Sequence, residues 1–445
     1  MKTKIDKKFI RSLGLLSIPI VLQDFLNSMV NFVDSWMVGQ IGLNAINGVG
    51  LSNRLSFLFL LLMFGVNSGS AVFMGQYWGK KEISGIHKVM GICMVCNLAL
   101  ASIFAGIALF LPNWFLGILT PNEYVIEVGV SYLRILSISY FLTAITFSLN
   151  ATLRSIRQTK VPMVTTMFAL VAKLSLNYIF IFVLDLGVVG AAWGTVFARV
   201  VEIIVALVII KKLQLPIIAP FKNYLSFLNV GFLKKYFKLT MPVILNEGIW
   251  ALGIFLYDVA YRFSGHEAQG SVQVNTSILQ LFSVFAIGVG AGSAIMISNL
   301  LGANEEQAAK DMARKCLQVG FVVIVVMALL MVVISPFILM TYNVDDAVRQ
   351  MIQRSLYVSA IAFLPKILNY YLIVSILRSG GDTMFCLVVD SLSVWLIGVP
   401  MAFLGAYFLG LPIYFVLGLV YLEEVVKFFI AFARYKKGAW ARRVV

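Results

Sequence analysis

FGVNSGSA at residues 64–71 and IGVGAGSA at residues 287–294 are one motif written twice, and the fold follows from that repetition. Upstream, PIVLQD at 19–24 answers PVILNE at 242–247; downstream, GQYWGKKE at 75–82 answers SNLLGANE at 298–305. All three pairs share one offset of 223 residues (287 − 64, 242 − 19, 298 − 75). Further on, LRSIRQT at 153–159 answers LRSGGDT at 377–383, offset by 224. Chance similarity between apolar segments does not hold register across intervening loops, so the chain contains two copies of one unit.

Each copy is apolar along its length. Of 445 residues, 60% are hydrophobic and 12% charged, with a mean hydropathy of +0.93. Soluble domains carry roughly twice that share of charge, so the excess apolar surface must face lipid. Apolar segments recur at 10–38, 45–75, 86–112, 123–152, 161–184 and 188–211, then at 238–263, 268–299, 309–340, 346–377, 383–407 and 411–436. Each is long enough to cross a bilayer as a helix. The expected fold class is therefore an all-α integral membrane protein of about twelve transmembrane helices. Its predicted organisation is an N-terminal six-helix lobe (1–211), a cytoplasmic linker (212–237) and a C-terminal six-helix lobe (238–445). Six is even, so the second copy inserts in the same orientation as the first. The lobes are then expected to be related by a pseudo-two-fold axis along the membrane normal, around a central cavity. Within the linker, Phe227, Leu228, Phe232, Leu233 and Phe237 beside Lys234 and Lys235 suggest an interfacial amphipathic helix.

The formal net charge of +15 does not mark a nucleic-acid surface. Basic residues gather at alternate ends of the apolar segments: Lys7, Lys8 and Arg11; Lys80, Lys81 and Lys88; Arg154, Arg157 and Lys160; Lys211 and Lys212; Arg378; Arg434, Lys436 and Lys437. Under the positive-inside rule these ends are cytoplasmic, which puts both termini in the cytoplasm of a multi-pass cell-membrane protein. The partners expected are the lipid bilayer and small organic molecules, with no nucleic acid, and a monomeric state. The basic start followed by an apolar run resembles a signal peptide. However, the run continues through Asp24 and Asp34, so it is read as the first span. Cys93, Cys96, Cys316 and Cys386 form no disulfide framework, and His87 and His266 have no metal-ligand spacing. Neither a nucleophile–base constellation nor a phosphate-binding loop occurs, so no enzyme chemistry and no cofactor are expected.

Ionisable residues inside the spans are the candidates for function, because burying them in lipid is costly. Asp24, Asn27, Asn31 and Asp34 are spaced 3, 4 and 3, on one helical face. Glu247, Trp250, Ile254, Asp258 and Tyr261 follow similar spacing in the second copy; acids alternating with aromatics suit a cationic or aromatic ligand. Glu247, Trp250, Asp258, Tyr261 and Asn31 are therefore the expected substrate-binding residues. Pro19 and Pro242 fall mid-helix at equivalent positions and are candidate hinges, since each removes a backbone hydrogen bond. Lys173 and Lys366 need partners; Lys366 is expected to pair with Glu247 at comparable depth. Arg199 with Glu202 and Glu423 with Lys427 are expected as pairs within a helix. Asp390 has no assigned role. Gly65 with Gly69 and Gly288 with Gly292 should permit close helix contact.

Pro19 followed by FVDS at 32–35, the two LRS motifs, and GVVGAAWGT at 187–195 together resemble the multidrug and toxic compound extrusion (MATE) family, over essentially the whole chain. That resemblance implies a secondary active transporter, an H⁺- or Na⁺-driven antiporter exporting cationic or amphiphilic organic compounds by alternating access. It implies that Asp34 binds the coupling ion, with Asn177 as its neighbour and Na⁺ as the only metal in question. The family's variants leave H⁺ and Na⁺ both open: Ile181 stands where some members carry an acid, and Lys366 lies near the place of another. A related activity, flipping a lipid-linked precursor, is the alternative.

Overall fold

The computed structural model describes residues 6–340 and 344–445, apart from the side chains of Asn31, Phe32, Ser35, Leu43 and Phe221. Among the described residues all regular structure is helical. Helices suit a chain of this composition, since each satisfies its own backbone N–H and C=O groups where no water can.

The first half of the chain runs α1 (Lys7–Gly39), α2 (Leu43–Gly79), α3 (Ile83–Phe110), α4 (Pro112–Leu119), α5 (Glu123–Ser155), α6 (Lys160–Tyr178) and α7 (Gly187–Lys212). The second runs α8 (Phe221–Tyr224), α9 (Val230–Tyr261), α10 (His266–Gly302), α11 (Glu306–Leu339), α12 (Asp346–Asn369), α13 (Thr383–Ser393), α14 (Val399–Phe403), α15 (Ile413–Val420) and α16 (Leu422–Lys436). Eleven of the resulting helical segments are long and apolar enough to cross a membrane. The last traverse does not reach that threshold, because it breaks at Tyr421 and carries Glu423, Glu424 and Lys427.

Three details depart from the expected boundaries. Pro112 opens the short helix α4, its missing N–H costing nothing at a first helical position, so the third segment ends at Phe110. Phe227 ends a 3₁₀ turn that follows the one-turn α8, and α9 starts at Val230, so Phe232, Leu233 and Phe237 of the expected amphipathic segment occupy its opening turns. Those turns are drawn inward by an aromatic group: Tyr236 is fully buried, its ring 5.8 Å from that of Phe73 and its hydroxyl 2.7 Å from Ser70 Oγ. The third departure is that several helices change pitch. π-helical turns occupy Ile179–Val183 after α6, Tyr370–Leu377 after α12, Val394–Gly398 between α13 and α14, and Leu404–Phe408 after α14. Such turns insert a residue into the helical ladder and are frequent at functional sites.

The chain folds into two compact units, Leu22–Ile244 and Leu245–Val445, the latter completed by the residues up to Val21. The first is built around Leu55, Phe59, Met63, Leu133, Tyr140 and Ala192. The second has an apolar cluster around Phe363, Ile367 and Tyr371 and another in which Phe9, Leu13, Leu16 and Ile20 meet Ile295, Met296 and Cys316. The boundaries fall inside α1 and α9, two residues beyond Pro19 and two beyond Pro242. The repeated small residues lie at the matching contacts. A Cβ on Gly69 would come within 2.6 Å of Thr240 in the first unit, and one on Gly292 would overlap Ser17 in the second. Thr240 and Ser17 are themselves 223 positions apart (240 − 17), so the duplication extends to the contacts that hold each unit.

Candidate functional site

Asp34, on the C-terminal half of α1, is held by two side chains of α6. Lys173 and Asn177 are four residues apart, one helical turn, and so project from the same face. Lys173 Nζ forms an ion pair with Asp34 Oδ2, and Asn177 Nδ2 donates to Asp34 Oδ1 at 2.9 Å. The lysine side chain is 11% exposed and the carboxylate 22%. Asn177 is fully buried, and its Oδ1 has no donor. Gly194, in the GVVGAAWGT stretch opening α7, is what admits that amide, because a Cβ there would overlap Asn177 Oδ1. Beside the pair lies a cavity of about 30 Å³, room for one or two waters, bordered by Lys173, Asn27, Thr166, Thr195 and Arg199. Arg199 is already paired with Glu202 at 2.6 Å, as its i, i+3 spacing led us to expect. The side chain of Asn31 lies outside the described residues.

One acid–arginine pair is repeated between the two units. In the first, Arg154 Nη2 donates to Gln23 Oε1 at 2.5 Å and lies 3.4 Å from Asp24 Oδ1, while Gln23 Nε2 donates to Thr166 Oγ1 at 3.0 Å. In the second, Arg378 Nη1 donates to Glu247 Oε1 at 2.8 Å, with the two side chains 3% and 10% exposed. Acid and arginine come from the two repeated motifs, so the duplicated sequence makes a duplicated ion pair. This corrects the expected Lys366–Glu247 pair. Lys366 and Arg378 are separated by the π-helical run Tyr370–Leu377, whose extra residue turns Arg378 into the unit toward Glu247. Lys366 Nζ lies instead 5.8 Å from the centroid of the Tyr421 ring.

The second unit also buries a larger polar network. Lys427 Nζ lies 2.7 Å from Asp390 Oδ1 and 3.5 Å from Glu424 Oε2. Asn246 donates to Asp390 at 2.9 Å, and Asn369 donates to Glu424 Oε2 at 2.7 Å. The expected Glu423–Lys427 pair is not formed. The lysine is taken by Asp390 from α13, and Glu423 accepts a hydrogen bond from Tyr257 Oη at 2.7 Å instead. Asp390, unassigned from sequence, is thus a principal anchor of α16.

The stripe on α9 is not gathered into one site. Glu247 is engaged by Arg378; Trp250, Ile254 and Tyr261 pack against an apolar cluster containing Val394, Ala402 and Val416; and Asp258 is on an exposed face. Among the described residues there is no group of three or more His, Cys, Asp or Glu side chains arranged to hold a metal ion.

The MatE family model matches residues 19–179 and 247–404, one match in each half of the chain. The chain belongs to the MatE family. It is a multi-pass membrane transporter, not an enzyme, and the duplicated architecture inferred from residues 64–71 and 287–294 is that of the family. Among curated proteins, the probable multidrug resistance protein YoeA of Bacillus subtilis is 24% identical over 91% of this chain and 88% of its own length. The uncharacterized transporter YisQ of the same species is 22% identical over 100% and 97%. Among solved structures, the MATE transporter VcmN of Vibrio cholerae in its bent form superposes with a TM-score of 0.87 at 19% identity, covering 97% of each chain. A transporter of the MOP superfamily from Pyrococcus furiosus superposes at 0.86 with 15% identity over 96% of this chain and 95% of its own. These likenesses establish the fold.

Proposed function

We propose that this MatE member is a cation-coupled exporter of small organic compounds, with Asp34 as its ion-binding carboxylate. The observation that carries this reading is the setting of Asp34: a carboxylate within a membrane span, held by a lysine and an asparagine from a neighbouring helix. A carboxylate in that position is stable only when a positive charge or hydrogen-bond donors meet it, so its state responds to cations. H⁺ or Na⁺ delivered down a gradient alters the balance at Asp34. Pro19, where α1 lacks a hydrogen bond and where the helix passes out of one compact unit, is the point at which we place the resulting bend. Pro242 is the corresponding point in α9. Alternation between inward- and outward-open states then couples ion entry to cargo exit. Multidrug-resistance relatives support small organic cargo, and the family resemblance favours cationic or amphiphilic compounds. Operation as a monomer in the cell membrane, with both termini cytoplasmic, completes the reading.

Reconstitution into liposomes tests it. With a cationic dye as cargo, imposing a proton gradient and a sodium gradient separately should drive dye movement with one of them, and Asp34→Asn should abolish that movement while leaving the protein folded. Dye movement that ignores both gradients, or persists in Asp34→Asn, would refute the coupling scheme.

A further inference from the structure

We propose that Lys173 is a tethered cation that occupies the ion position at Asp34, so that H⁺ or Na⁺ binds there only by displacing the lysine's own ammonium group. The inference rests on Asp34 being an ion-binding carboxylate but asks nothing about cargo.

Both oxygens of Asp34 are occupied by groups of the protein itself, Oδ2 by Lys173 and Oδ1 by Asn177. An ion-binding carboxylate with no such partner presents full negative charge to an arriving cation. Here a positive charge is already in place. The other charged or titratable groups around it leave that balance unchanged: Tyr132 of α5 stands near Asp34, and on α7 Arg199 and Glu202 neutralise each other. The local pairing is therefore one carboxylate to one ammonium.

Two features show where each party goes when the pair opens. Lys173 borders the 30 Å³ cavity, which Thr166, Thr195 and Asn27 also line, so a retracting ammonium on its flexible four-carbon stem has residues bearing oxygen acceptors beside it within the unit. Asn177 supplies the second feature. Its Oδ1 is buried and without a donor. A half-turn of that amide exchanges its N–H for this oxygen, converting a donor to Asp34 into a ligand for a cation held by Asp34. One side chain is thus suited to both states, donating while the lysine is present and accepting beside a bound ion.

Competition of this kind lowers apparent affinity by the fraction of time the carboxylate is free. If the lysine is off Asp34 a tenth of the time, external cations bind about tenfold more weakly than the bare site allows. Removing the ammonium should recover that factor.

The test is thermal unfolding of purified protein in detergent, in two series: NaCl against choline chloride at constant ionic strength and pH 8, and pH from 8 to 5 in choline chloride. Lys173→Met should acquire a saturable rise in melting temperature with one of the two cations, at a midpoint concentration about tenfold or more below any response of the unmodified protein. The added response should vanish in Asp34→Asn/Lys173→Met. The series that responds names the ion. Lys173→Gln, which retains a donor but no charge, should behave as Lys173→Met does. If both single variants fail to fold while the double variant folds, the lysine is shown to be the obligate counter-ion of Asp34, which supports the inference. It is overturned if the folded single variants respond as the unmodified protein does, or if the double variant also fails to fold, either of which makes Lys173 a packing residue. Loss of dye transport in liposomes with these binding responses intact would instead count against the export reading alone.

Discussion

Gly194→Ala is the smallest change that should disable the Asp34 site without touching a charged group. The added methyl would overlap Asn177 Oδ1 and stand 3.0 Å from its Cγ, with the Asn177 backbone nitrogen at 3.4 Å behind it. Neither helix yields easily: α6 and α7 pack along their lengths, and residue 194 is buried. The amide must therefore swing away. Its 2.9 Å bond to Asp34 breaks once the separation passes about 3.5 Å, a displacement smaller than the overlap requires. Overpacking costs about 1–3 kcal/mol, and losing a hydrogen bond to a charged group about 1.5–3 kcal/mol more. At roughly 2–4 °C per kcal/mol for a unit of this size, the melting temperature should fall by at least about 5 °C, and gradient-driven transport should fall with it. Tryptophan fluorescence during a thermal ramp reads the first quantity and dye efflux from liposomes the second. A second variant isolates the cause. In an Asn177→Ala background the clash has no partner, so adding Gly194→Ala should cost little further. Wild-type melting and transport in Gly194→Ala, or an undiminished penalty in the Asn177→Ala background, would refute the packing argument.

Three further outcomes follow from the same coordinates. Arg378→Met should destabilise the second unit by roughly 3–5 kcal/mol, because it leaves the Glu247 carboxylate buried without its counter-ion, whereas Glu247→Gln/Arg378→Met should recover most of that loss; a thermal double-mutant cycle showing additive losses would contradict the pairing. Arg154→Met should cost less than Arg378→Met, since Arg154 and Asp24 are about 30% exposed against 3% and 10%, and the two melting shifts can be compared directly. Gly91→Ala should loosen the stretch between α7 and α9, because its Cβ would overlap the backbone carbonyl oxygen of Tyr224, which has no rotamer to escape into; faster proteolytic cleavage between 213 and 229 is the expected readout.

The parts of this molecule legible in sequence are those set by periodicity and repetition. The offset of 223 residues located both units' equivalent contacts, and the membrane spans followed from apolar length. Asp34 and Asn177 were identified by resemblance to the MATE family, and their hydrogen bond is present at 2.9 Å. Partner choice between helices was less legible. Lys173 was conspicuous as a lysine in an apolar helix, but nothing in its spacing points to Asp34, 139 positions away. Arg378 was assigned to a basic membrane end by its position after an apolar run. The preceding π-helical segment, which has no sharp sequence signature, rotates it by about 100° relative to an uninterrupted helix. The signal that could have found its partner was present: PIVLQD/PVILNE and LRS/LRS each repeat, and an acid and an arginine duplicated together are candidates for duplicated pairing. The Glu423–Lys427 expectation failed for a related reason. Spacing within a helix states which side chains could meet, and Asp390 on another helix offered Lys427 a closer partner at 2.7 Å.

The exchange of helix segments at Pro19 and Pro242 has a consequence for biogenesis. The packing partners of the stretch ending at Val21, among them Gly288, Gly292, Ile295 and Met296, are synthesised more than 250 positions after it. The second unit therefore combines an early and a late stretch of the chain, whereas the first, Leu22–Ile244, is continuous. The opening turns of α1 must wait in the bilayer, or under the care of the insertion machinery, until α10 arrives. Two fragments divided near residue 220 would each carry the other's missing strip, so co-expression should reassemble them while either fragment alone is left for quality control to degrade.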